Sequence, residues 1–375
     1  MAGVSTWQIV TSREDLDDLR TDWQALHSLN PLHSPFQSWS WVTAWLKHLA
    51  GTHELRIICG RNDRNELVFV LPLVIVSRDN GPRSVCTTVC GYGQDCSDYI
   101  GCLRAPELED ELAVVTANAI DRYIDRGVRL VMPSLDGNRG FPNELRGTMT
   151  NLGRATWLKR HHSCPAIALP GSLDEYLAGL SSNFRAQVRR HHRKVVKHPE
   201  VELRPVDADD ASSFARELVR LNRARMRDKG IESSFEAEAF RSFFLDAVPG
   251  LADEGIAWMD TIVHGDKILA AALTLLHADR MHFYAAGFDD SASALRPGTA
   301  LHLEVISRGI ERGYVSYDFL RGSEPYKYRW GATEAWTWKL TAYPAGAGGQ
   351  VQCVRERLTA GARAKARSLK RQFNR

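Results

Sequence analysis

Several groups of residues in this 375-residue chain are of types that could do chemistry together. The strand-like run VSYDFLRG carries a carboxylate, Asp318, and the EPYKYRW segment after it supplies Tyr326 and Lys327. A carboxylate can take a proton, a phenol can give one, and an ammonium steadies developing negative charge. Asp318 could equally be a strand-end carboxylate paired with Arg321 or Lys327, and Glu324 is a weaker base candidate in the turn. Upstream, Leu295-Arg296-Pro297-Gly298-Thr299-Ala300 opens a helix-patterned run. A glycine there lets an anion approach backbone N–H groups at the positive end of the helix dipole. NFRAQVRRHHRKVVK holds Arg185, Arg189, Arg190, Arg193, Lys194 and Lys197 with no acid among them. From that row Arg185 and Arg189 could grip a carboxylate or phosphate. Asp98, in GYGQDCSDYIG, is a polar candidate from the first half of the chain, with Tyr99 beside it read as core.

Other chemistries find no support. There is no G-x-S-x-G and no Cys/His signature for a covalent nucleophile. The seven cysteines are odd in number and form no C-x-x-C pair, so free thiols in a reducing compartment are expected. His161-His162-Ser163-Cys164 lacks partner ligands at suitable spacing, and no metal is expected. Apolar residues make up 44% and charged residues 25%, which suits a globular protein of two domains and excludes wholesale disorder. The longest apolar runs, Leu67 to Val76 and Ile268 to Leu276, are half of what a bilayer span needs. With no basic-then-apolar leader, a cytoplasmic protein is expected. The net charge of +3 is uneven: Arg355 to Arg375 holds eight Lys/Arg against Glu356 alone. A stretch such as ARAKARSLKRQFNR reads as a floppy, solvated basic tail.

The elements that must position these residues recur. NAIDRYIDRGVRLVMPSL, from Asn118, aligns with EVISRGIERGYVSYDFLR, from Glu304, at a constant offset of 186 residues. Each reads as an amphipathic helix stopped by glycine, then a short strand. ELRIICGRNDRNELVFVLPLVI and GIAWMDTIVHGDKILAAALTLL each read as an antiparallel strand pair. WQIVTSREDLDDLRTDWQALH and VELRPVDADDASSFARELVRLN each read as a strand, then an acid-led helix. The expected fold is therefore mixed α/β, with two similar halves, each a central mixed sheet flanked by helices. The division drawn is a first domain at 1–168, a basic helical connector at 169–200, a second domain at 201–350 and a basic tail at 351–375. In the connector, Phe184, Val188, His191 and Val195 form one buried stripe. Trp41, Trp45, Trp336 and Trp338 are expected in the core.

PGTALHLEVISRGIERGYVSYDFLRGSEPYKYRWG resembles the signature of GNAT acyltransferases grouped with the CelD cellulose-biosynthesis family: a P-G-x-x-L helix start, then D-F-x-x-G-x-x-x-Y-K. SPFQSWSWVTAWLKHLA, CSDYIGCL and LPGSLDEYLAGLSSNFRAQVRR extend the resemblance over most of residues 7 to 343. It reaches further to the FemAB-type transferases, which carry two GNAT-like halves in one chain. One departure is Asn222 in LVRLNRARMRDKG, where such proteins often carry His.

The resemblance implies tandem GNAT domains and transfer of an acyl group from acetyl-CoA or a longer acyl-CoA to a small amine acceptor. In GNAT enzymes a Q/R-x-x-G-x-G/A loop holds the pyrophosphate. Gly298 and Ala300 match its G-x-A part, with Leu295 at the Q/R position and Arg296 one place later. Arg296, Gly298, Thr299 and Ala300 are thus the implied cofactor contacts, joined by Tyr284 from MHFYAAGF, the implied splayed strand. Asp318, Tyr326 and Lys327 are the implied catalytic residues, and Asp98, Arg185 and Arg189 the implied acceptor contacts. PELEDEL, at the equivalent place in the first half, would repel phosphate, so the second half is expected to bind the cofactor. Two rivals stand beside this reading: an aminoacyl-tRNA-dependent FemAB-like transferase, and a GNAT-fold protein that binds without catalysing.

Overall fold

The computed structural model describes residues 3–76, 85–92, 96–137 and 140–373. The first half is built from β1 (Thr6–Val10), α1 (Arg13–Asp17), α2 (Arg20–Leu29), α3 (Trp39–His48), β2 (Glu54–Arg61), β3 (Leu67–Val76), β4 (Val85–Thr88), β5 (Leu103–Arg104), α4 (Leu112–Tyr123), β6 (Arg129–Asp136), α5 (Phe141–Asn151) and β7 (Thr156–Ser163). Next come β8 (Ala166–Ala168), α6 (Leu173–Gly179) and α7 (Ser182–Val196). The second half adds β9 (Val201–Val206), α8 (Ala211–Asp228), α9 (Glu238–Asp253), β10 (Ala257–His264), β11 (Lys267–His277), β12 (Arg280–Phe288), α10 (Pro297–Glu311), β13 (Ser316–Asp318), α11 (Pro325–Arg329), β14 (Trp336–Ala342) and α12 (Ala347–Phe373).

The internal repeat is visible in the pairing. β2 with β3, and β10 with β11, are antiparallel hairpins at matched places. β4 lies parallel to β6, and β12 parallel to β13, in each case across a helix that begins after an irregular segment. The sheets run β1-β2-β3-β4-β6-β14-β7, with β5 on β3, and β8-β13-β12-β11-β10-β9.

Two strands depart from the division drawn on the sequence. β14 leaves the second half and inserts between β6 and β7, pairing antiparallel with both. β8, which precedes the connector, joins the second sheet beside β13. The chain therefore crosses between sheets in both directions. Strand partners of this kind are chosen by distant backbone, so local periodicity carried no trace of the exchange.

A shared core lies beneath the exchange. α3 and α9 pack face to face: Trp41 meets Phe243 with ring centroids 4.8 Å apart. A Cβ on Gly250 would collide with the Ser40 side chain. The Ser40 amide and hydroxyl both donate to Glu254, at 3.0 and 2.5 Å. Trp41 and Trp45 are fully buried, whereas Trp336 and Trp338 are half-buried, Trp336 lying under Arg160. The α7 stripe of Phe184, Val188, His191 and Val195 is buried as expected. The basic tail, expected to be floppy, continues as α12 through Phe373. All seven cysteines are buried. Among the described residues no helix is long and apolar enough to cross a membrane, and no group of His, Cys, Asp and Glu could hold a metal.

Candidate active site

The site begins with a strand that loses a neighbour. β12 pairs with β11 along its length, with a bulge at Tyr284 where Phe283 and Ala285 face consecutive partners. On its other side it pairs with β13 only from Arg280 to His282. Beyond that the strands part and leave β12 backbone without a ladder partner on that edge. A cavity of about 950 Å³ fills the gap. Its walls come from β12, α8, α7, the first turn of α10, the Phe319–Trp330 segment and, from the first half, Cys96 and Asp98.

α10 starts at the cavity for local reasons. Arg296 adopts a left-handed conformation (φ 55°) that turns the chain, and Pro297 follows in the first helical turn, where its missing N–H costs nothing. The amides of Thr299 and Ala300 turn back to the Arg296 carbonyl, at 3.0 and 3.3 Å. No acceptor is seen for the Gly298 amide among the described residues. A Cβ on Gly298 would meet nothing within 4 Å, so that face of the turn is open space. A donor amide, a helix dipole and an absent side chain together make an anion cradle. In the first half, α4 instead follows Glu107, Glu109, Asp110 and Glu111, with Glu109 held by Arg104 at 2.9 Å.

Cations gather around the cradle. Arg225 lies over the Phe288 ring at 4.2 Å and Arg329 over Phe184 at 4.5 Å, and both line the cavity with Lys229 and Arg296. Burial lowers the Arg225 pKa, and no carboxylate pairs with it among the described residues. Asn222 donates to the Ala286 carbonyl at 2.9 Å and accepts from the Ser233 hydroxyl at 2.9 Å, tying α8 to the open edge of β12.

Several expected site residues have other partners. Asp318 does not line the cavity. It is buried behind the wall, where its Oδ2 accepts from the Tyr99 hydroxyl and its Oδ1 from the Leu320 amide, both at 2.6 Å. Burial, aided by nearby Asp98, pushes its carboxyl up to about 7, against the Tyr99 and Leu320 hydrogen bonds and the Lys327 charge. Lys327 is also absent from the wall: its ammonium donates to the carbonyls of Leu320, Arg321 and Gly322, at 3.1, 2.7 and 3.1 Å, and pairs with Glu324. These two residues hold the Leu320–Gly322 turn, in which Leu320 takes a left-handed φ of 56°. The turn presents Arg321 to the first half, where it pairs with Asp98 at 3.0 Å and donates to the Ser97 carbonyl. Asp98 therefore reaches the cavity wall, already neutralised by Arg321.

Tyr326 does line the cavity, 41% exposed, its phenol pushed up to about 12 by burial and by Glu324. Tyr284 lines it too, but its hydroxyl donates to the Cys96 carbonyl at 3.3 Å and its ring packs on Trp41. Arg185 and Arg189 are outside it. Arg185 donates to the carbonyls of Leu177 and Ala178 that end α6, Arg189 pairs with Asp174, and both line a shallow groove on α7.

Sequence reasoning missed His302, Arg225 and the Tyr99–Asp318 contact. His302 lines the cavity one turn after Gly298, with Nδ1 2.8 Å from the Tyr317 hydroxyl and its ring 4.4 Å from Phe283. Burial takes its pKa to about 3, so it is neutral. The i, i+4 spacing of Gly298 and His302 was an available signal; the Tyr99–Asp318 pairing, 219 residues apart, was not.

A splayed parallel pair opening beside a glycine at a helix start defines a class. Residues 182–328 match the family of acetyltransferase (GNAT) domains, and this part of the chain is similar to a GNAT-type acetyltransferase domain. The whole chain is similar in fold to FemX (TM-score 0.60, 13% identity, covering 90% of this chain and 97% of that one). It is also similar to a conserved protein of unknown function from Bacteroides thetaiotaomicron (TM-score 0.58, 13% identity, 90% and 99%). L-PGS from Bacillus licheniformis gives a TM-score of 0.50 at 12% identity, covering 86% of this chain and 96% of that one. At such identities the likeness is one of fold. No curated protein matches the sequence.

Proposed function

We propose that the protein is an acyl-CoA-dependent N-acyltransferase acting on a small amine acceptor, and that its second half holds the donor. The D-F-x-x-G-x-x-x-Y-K motif leads us to place it with the CelD-type GNAT proteins. The observation that carries the reading is the Gly298 cradle, which opens into the same cavity as the unpaired edge of β12. Gly298, with Arg296 and Thr299 beside it, would hold the pyrophosphate; Ala300 is fully buried and only supports the turn. The unladdered backbone of β12 would hold the pantetheine arm. Bound acyl-CoA supplies a thioester whose carbonyl the acceptor amine attacks.

The protein's own groups then divide the proton work. Tyr326, on the wall and protonated, is the donor for the leaving thiolate. Glu324, a wall carboxylate paired with Lys327 at 2.9 Å but half-exposed where Asp98 is buried against Arg321, receives the amine proton. Asp318 and Lys327 act as positioning residues for the turn between them. The acceptor enters between the halves, past Asp98 and Arg321.

Calorimetric titration with acetyl-CoA and a longer acyl-CoA tests the reading. Gly298→Val should fold normally, because its side chain meets only open space, and should weaken binding by about tenfold or more. A wild-type protein that binds no acyl-CoA would overturn the proposal. A second reading, transfer from an aminoacyl-tRNA, is favoured by the α7 groove lined by Arg185, Arg189, Arg190 and Arg193. Salt-resistant, sub-micromolar tRNA binding would put that reading first, because simple polyanion attraction fades at physiological salt.

A further inference from the structure

We infer that α12 docks the protein on an anionic membrane surface, lying in the interface without crossing it. The helix has one face committed to the body. Cys353 is buried with its thiol on the Thr156 carbonyl. Glu356 takes both guanidinium donors of Arg129 at 2.8 Å and the Tyr343 hydroxyl at 2.9 Å, and Arg357 donates to the Thr156 carbonyl. These contacts fix the start of α12 against β7 and β6.

The opposite face is apolar and bare. Val351, Val354 and Leu358 are 68%, 55% and 69% exposed, values that nothing in the fold requires of large aliphatic side chains. At helical spacing the three fall within about 60° of one another, a single stripe. Arg355, Arg363 and Lys365 are exposed, and no acid pairs with them among the described residues. The segment's lone acid, Glu356, is already matched by Arg129, so Arg355, Arg363 and Lys365 face outward uncompensated among the described residues.

Charge selects the occupant. A second copy of α12 would bring one basic excess against another, which repels. A nucleic acid would satisfy the cations and leave the aliphatic stripe in water. An anionic lipid surface satisfies both, with apolar side chains at the acyl boundary and cations among the headgroups. No described helix is long and apolar enough to cross a bilayer, so the geometry is that of a helix lying on one. This inference stands independently of the acyl-CoA reading.

Co-sedimentation of the full chain with vesicles tests it, using phosphatidylcholine alone and phosphatidylcholine mixed with phosphatidylglycerol. Wild type should pellet with the mixed vesicles only, and less as salt is added. The triple variant Val351→Ser, Val354→Ser, Leu358→Ser should keep its melting temperature and bind the mixed vesicles about tenfold more weakly. Absence of wild type from the mixed-vesicle pellet would overturn the inference. So would a triple variant that binds as wild type does, which would reduce the effect to polycation adsorption. A wild-type dimer in sedimentation equilibrium that the triple variant dissociates, without vesicle binding, would assign the face to a second copy.

Discussion

Lys327 and Asp318 sit nine residues apart and serve the same turn from opposite sides. One caps three successive carbonyls, and the other accepts the Leu320 amide while holding Tyr99 from the first half. A buried carboxyl in this position leaves a titration signature. Its folded pKa, about 7, lies above the ordinary 3.8, so its contribution to stability is fully present below about 3.8 and is lost as pH rises towards 7. Asp318→Asn removes that dependence, because the amide does not titrate. The melting temperature of Asp318→Asn relative to wild type should therefore climb from about pH 4 to about pH 7 and level off above it. A difference that stays constant over that interval would mean that Asp318 titrates as an ordinary carboxylate. A CoA affinity near that of wild type in the same variant would agree with a positioning role away from the cradle.

At the scale of elements, what the sequence revealed was what is local. The helix opening at Pro297, the glycine stop at Gly313 and the hairpins are written in short spacings, and each formed as its spacing required. The acid-led segment before α4 was legible as hostile to phosphate from five adjacent residues. What escaped depends on strand partners. β14 reads on its own as the last strand of the second half, and only the free edges of β6 and β7 decide that it goes elsewhere. The site was divided in the same way. Gly298 could be read from a helix start, whereas the occupation of Lys327 by three carbonyls depends on a turn whose path the sequence does not state. Arg185 and Arg189 read as anion and acceptor contacts from their basic row, whereas the capping need of α6 and the nearby Asp174 claim them.

At the scale of the whole molecule, the two halves meet over buried histidines, and these predict how the protein fails in acid. His27 and His33, from α2 and the loop after it, gather around His277 at the end of β11, with His27 and His277 ring centroids 4.5 Å apart. Each is held by backbone: His27 on the Ser34 carbonyl, His33 on the His27 carbonyl and the Arg104 amide, and His277 on the Asn30 carbonyl. Burial lowers all three pKa values, His27 to about 4, and Arg104 beside His33 and Arg280 beside His277 push the same way, while Asp279 opposes them weakly. The unfolded chain therefore binds protons that the folded chain refuses. Stability is full above about pH 6.5 and falls as pH drops towards 4, the opposite sense to Asp318. With His282 and His302 also lowered to about 3, the histidines outnumber the two carboxyls that burial raises, Asp318 and Asp260, so the net slope should be loss in acid. Replacing His27 and His277 together with Gln keeps a donor for the Ser34 and Asn30 carbonyls and removes two titrating rings. The double variant should start less stable at neutral pH, from imperfect packing, yet lose less melting temperature than wild type between about pH 6.5 and 4. Equal losses in the two proteins would show that acid acts elsewhere than at this junction.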